Sequence, residues 1–108
     1  MKKLPYLART RTGDSFHIEF PLHPETGDAV RVGQLVSLVL ETIDRDIALA
    51  GEASNGDVLQ AVAMALSIRA RMIHASHETT RGLSVRLVET ALEAVADAPR
   101  QSGQVGHA

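Results

Sequence analysis

Residues 15–22, Ser-Phe-His-Ile-Glu-Phe-Pro-Leu, alternate strictly between apolar and polar positions, and ten residues later the apolar period changes from two to 3.6. That change constrains the fold most. Phe16, Ile18, Phe20 and Leu22 share one face of an extended segment, with His17 and Glu19 on the other, the pattern of a half-buried strand. Thr12-Gly13-Asp14 precedes it as a turn in which Gly13 can take positive φ. Leu4 to Arg11 then serves as an antiparallel partner. After Leu22 the run His23-Pro-Glu-Thr-Gly-Asp28 is a second turn signal, so Ala29-Val-Arg-Val32 reads as a short third strand. Pro21 lacks an amide donor, which restricts it to an edge or a strand end.

From Val32 onward three helices are expected, over about 34–50, 57–74 and 83–98. Val32, Leu35, Val36, Val39, Ile43 and Ile47 form one stripe on the first, and Gly51 ends it as a C-cap. Ser54 or Asn55 can cap the second helix, with Asp57 near its positive end. That helix carries two adjacent apolar rows: Val58, Ala61, Ala65, Ile68 and Met72 beside Leu59, Val62, Leu66, Ala70 and Ile73. Rows so placed predict a central helix, buried over a wide arc. In the third, Leu87, Val88, Ala91, Leu92 and Val95 face inward and Pro99 follows the end; Ser76 could cap a longer version. The reading is therefore an α+β fold, a small N-terminal antiparallel hairpin or three-stranded meander packed on a three-helix unit. Residues 1–98 form a single domain, with a mobile tail over 99–108.

Composition excludes several functions. With 108 residues the chain is long enough for one core and too short for two ordinary domains. The absence of cysteine removes disulfides, thiolate metal sites and cysteine nucleophiles, and it fits a cytoplasmic location. No apolar run reaches transmembrane length, and the first residues lack the apolar centre of a signal peptide. The net charge of -2 argues against a nucleic-acid binder. The charge is uneven: Lys2, Lys3, Arg9 and Arg11 precede the first acid, whereas seven Arg face thirteen Asp and Glu thereafter. Arg9 and Arg11 could lie on one strand face in a DNA groove, but solvated edge-strand protection explains the same residues.

Chemical motifs are few. There is no glycine-rich phosphate loop and no nucleophile elbow. The densest polar stretch runs from Arg69 to Arg81. His74, His77 and Glu78 are metal-ligand types, and His74 and His77 share a face if one helix continues through both. Arg69, Arg71 and Arg81, with Thr79 and Thr80 at a helix start, are anion-binding types. The simpler account is a polar connection between helices. His17 and Glu19 could form an imidazole–carboxylate pair, though solvation of an exposed strand accounts for them as well. No catalytic residue and no cofactor is indicated.

The apolar supply of the helices exceeds what three helices need from one another. Leu35, Val36, Leu38, Val39 and Leu40 leave only Ser37 polar within six positions. This surplus predicts a non-enzymatic interaction or accessory protein acting as a homodimer, with Leu38 and Leu40 at the contact, and with room for a protein partner. The alternative is a small-ligand, anion or metal-binding protein, possibly an enzyme, with its site at Arg69–Arg81.

Overall fold

A computed structural model describes residues 2–102. The elements in order are β1 (Lys3–Arg9), β2 (Ser15–Pro21), α1 (Ala29–Ala50), α2 (Asn55–Arg71) and α3 (His77–Ala96). The fold is α+β, with a two-stranded antiparallel hairpin at its N-terminal side. Contacts gather into two compact units. One comprises the segment up to Ala29 with that from Leu87 onward, and the other is Val30–Arg86.

In the first unit, Thr10 and Asp14 close the hairpin: Gly13 N–H donates to Thr10 C=O at 3.1 Å and Thr10 N–H to Asp14 C=O at 2.9 Å. Gly13 has φ 95°, the left-handed conformation that a three-residue hairpin loop requires at its last position. The register pairs Leu4 with Phe20, Tyr6 with Ile18 and Ala8 with Phe16. Leu22 N–H donates to Lys2 C=O at the open end. Hydrogen-bonded pairs alternate along an antiparallel ladder, so the even-numbered amides face the partner strand and the odd-numbered ones face outward. Pro5 and Pro21 therefore occupy positions whose missing N–H costs the hairpin nothing, and each blunts a free edge.

The even-numbered side chains form the apolar face. Ile18 is 6% exposed and packs with Ala94 and Ala98, while Ala8, Phe16 and Phe20 close around them. A two-stranded hairpin is marginal alone, so this packing stabilises it. Ala94 near the end of α3 and Ala98 just beyond it are small side chains against the sheet. The chain beyond α3 is also held. Ser15 and Gln101 exchange backbone hydrogen bonds of 2.8 and 2.9 Å, and Arg100 Nη1 donates to Asp14 Oδ2 at 3.0 Å. The Arg100 guanidinium lies 5.0 Å from the centre of the Phe16 ring. The mobile tail expected from residue 99 is thus tied down through Gln101, and residues 103–108 lie outside the described residues.

In the second unit, the third strand expected at Ala29–Val32 is absent, because α1 begins at Ala29. Val30 and Val32 satisfy strand propensity, but the helical stripe from Val32 onward can propagate backward one bond per residue, and the helix wins. At the other end Gly51 N–H donates to Ile47 C=O at 2.9 Å, and Gly51 adopts φ 106° as the expected C-cap. Ser54 caps α2, its Oγ accepting from Asp57 N–H at 3.1 Å. Ser76 caps α3 by accepting from Thr79 N–H at 3.1 Å, so the longer version of the third helix forms.

The expected burial of α2 does not occur within one chain. Neither α1 nor α2 contains a buried residue. Leu59, Val62, Met64, Leu66 and Ile68 of α2 all stand exposed. Amphipathic spacing assigns a face to each row without assigning a cover to it.

Candidate functional site

The segment Arg69–Arg81 does not assemble as one helical face. Met72 terminates α2, its N–H reaching the carbonyls of Ile68 and Arg69 at 3.1 and 3.2 Å. A bend over residues 73–75 follows, so His74 lies in the connection whereas His77 opens α3. Ser76 then starts the next helix, its hydroxyl accepting from Thr79 N–H in place of a carbonyl of the preceding turn. His74, His77 and Glu78 are all exposed. Among the described residues no three His, Cys, Asp or Glu side chains gather to hold a metal ion.

Three of the five anion-binding types, Arg69, Thr79 and Thr80, make local contacts. Thr79 Oγ1 accepts from the Ser76 hydroxyl at 2.9 Å. Thr80 is the buried polar residue of this region, and its hydroxyl lies 3.3 and 3.2 Å from the carbonyls of Ser76 and His77. Arg69 Nη1 lies 3.2 Å from the Met72 sulfur. Arg71 and Arg81 are exposed. At the start of α3 the Thr79 amide is taken by Ser76 Oγ.

A cavity of about 300 Å³ lies within the first unit, between β2 and the end of α3. Lys3, His17, Glu19, Thr90, Glu93 and Asp97 line it. The pair His17 and Glu19 thus shares this wall with Glu93 of α3 and Asp97 just beyond it, residues more than seventy positions away that no local pattern places there. Apart from buried Ala94 and Ala98 and half-buried Pro21, its wall is exposed side chains.

The more extensive feature is apolar. Val30, Val32, Leu35, Leu38, Val39, Leu40 and Leu49 of α1 are exposed, Leu49 to 82%. An open hollow of about 360 Å³ on α1 is lined by Val32, Leu35, Val36, Val39 and Leu40 alone. At about 100° per residue, Leu38 and Leu40 point about 160° apart around the helix. Leu40 belongs to the hollow, and Leu38 stands on the back of α1 beside Leu49. Hydroxyls on the helices are folded inward: Thr42 Oγ1 donates to Leu38 C=O at 2.7 Å, and Ser67 Oγ to Ala63 C=O at 2.8 Å. These groups bring no unmet polar demand to an apolar contact.

No helix of the described residues is long and apolar enough to cross a membrane. The chain matches no protein-family model, no curated protein and no solved structure.

Proposed function

We propose that this chain is one subunit of a homodimeric interaction protein, acting by association through its helical faces rather than by turnover. The observation that supports this reading is the apolar surface that α1 and α2 leave open. Full burial of a Val, Leu or Ile side chain is worth about 1.5–3 kcal/mol at about 25 cal/mol per Å², equivalent to about 60–120 Å² each. The two helices present twelve large exposed apolar side chains. At roughly half exposure these amount to about 400–700 Å² of apolar side-chain surface, shared among α2, the hollow on α1 and the opposite side of α1. A soluble monomer's largest apolar patch is about 300–600 Å², and a stable complex covers about 800 Å² of each partner. Closed two-fold pairing is the commonest way to remove such a surface, because it buries the same patch on both copies.

Light scattering on the intact chain at micromolar concentration tests the reading. The expected mass is twice the chain's 11.6 kDa. A mass of 11.6 kDa across that range would refute it.

A further inference from the structure

The hollow on α1 has the form of a socket for another helix. Val32, Leu35, Val36 and Val39 stand at i, i+3, i+4 and i+7, the four-residue set that receives one inserted side chain in knobs-into-holes packing. Ala29, Val32, Val36, Val39 and Ile43 continue the alternating spacing of three and four that such a seam needs. The same helix also presents knobs, since Leu35 and Val39 are exposed beside the socket they help to form. A face that carries both socket and knob is self-complementary, which is the condition for a two-fold contact.

Resting on the homodimer reading, we propose that this socket takes α1 of a second copy, the two helices running antiparallel about a two-fold axis level with the midpoint of Val36 and Val39. That placement sets Val36 of one copy against Val39 of the other, Leu35 against Leu40, and Val32 against Ile43. These three pairings are apolar, and each occurs twice.

The direction follows from charge. Glu41, Asp44 and Asp46 lie in the second half of α1, and the helix has neither an acid in its first turn nor a base in its last. Carboxylates are disfavoured near a helix C-terminus and favoured near an N-terminus. Antiparallel pairing carries Asp44 and Asp46 alongside the first turn of the other copy. Parallel pairing would instead bring six carboxylates together beside two negative helix ends.

The absence of cysteine makes the test direct, because every cross-link must come from an introduced thiol. Val32→Cys and Ile43→Cys chains, refolded together and oxidised, are expected to give a disulfide-linked dimer. Neither chain is expected to link when oxidised alone, and Leu59→Cys on α2 should give no link. Linkage of Val32→Cys and Ile43→Cys each by itself would show parallel pairing and overturn the proposal. A dimeric mass with no link in the mixture, or with linkage through Leu59→Cys instead, would overturn the α1 pairing while leaving the homodimer standing. A monomeric mass would overturn both.

Discussion

Replacing Leu40 by Ala separates what one chain shelters from what a second chain covers. Leu40 is 43% exposed within the chain, so somewhat more than half of its side chain is already shielded. Of the about 1.5–3 kcal/mol that full burial of a leucine is worth, the shielded part accounts for about 1–2 kcal/mol, lost from each folded chain whatever its assembly. The remainder, about 0.6–1.3 kcal/mol per copy, is lost only if a partner covers it. A two-fold contact counts that loss twice, so dissociation should become easier by about 1.3–2.6 kcal/mol. At about 1.4 kcal/mol per decade the dissociation constant rises about 8- to 70-fold. Sedimentation across a dilution series measures it, and the unfolding midpoint should fall on dilution for parent and variant alike. Leu38→Ala, on the opposite side of α1, serves as the control and should leave the dissociation constant unchanged. If Leu40→Ala weakened folding but moved the dissociation constant less than threefold, the open half of Leu40 would face solvent in the assembly, and the argument from α1 would fail.

Other perturbations probe the remaining features. Ile18→Ala should cost about 2–5 kcal/mol in urea unfolding, since it empties the centre of the hairpin's packing on Ala94 and Ala98, and a loss below about 1 kcal/mol would contradict that packing. Leu66→Ala, at a residue 39% exposed in the chain, should cost less than about 2 kcal/mol in a monomer; a loss within the usual core range would reveal that a partner covers α2. Arg100→Ala removes an exposed ion pair and a ring contact and should cost no more than about 1–2 kcal/mol, with the ionic share shrinking in high salt. The melting temperature of the parent chain should be the same with added Zn²⁺ as with a chelator. A rise with Zn²⁺ that disappears in His74→Ala/His77→Ala would restore the metal reading of that segment.

The hairpin was legible because alternation and turn chemistry agree there. Phe16, Ile18 and Phe20 define the buried face, and only glycine suits the conformation found at residue 13. Gly51, Ser54 and Ser76 marked helix ends for similarly local reasons. The false third strand arose where two local signals compete: Val30 and Val32 fit an extended chain as well as a helix, and the choice is made by the helix they precede. Arg100 and Gln101 carry no periodicity, so nothing local announces the bonds they make. Their order depends on Asp14, Ser15 and Phe16, residues more than eighty positions away, and nothing near Pro99 announces that. The supposed metal ligands failed to align for a related reason, since whether His74 and His77 share a helix is decided by the cap at Ser76. The two rows of α2 lie on the helix as far as Ile68 and Ala70, while Met72 and Ile73, their last expected members, fall beyond its end. What lies against them is a property of the assembly, which spacing along one chain does not encode.

The closure of the hairpin by residues near the far end of the described chain has a consequence for how the protein is made. Ile18 leaves the ribosome well before Ala94, 76 positions later. At about 5–20 residues per second, the hairpin waits roughly 4–15 s for the helix end that covers it. The hairpin loop itself needs only microseconds to close, so for most of that interval Phe16, Ile18 and Phe20 are either in a bare hairpin or in an unfolded segment. Such an interval invites sheet growth between neighbouring nascent chains on one message. Pro5 and Pro21, each at one outward-facing ladder position of its strand, withhold an amide from each edge during that wait. They protect the chain at the stage of its life when Ala94 and Ala98 do not yet exist.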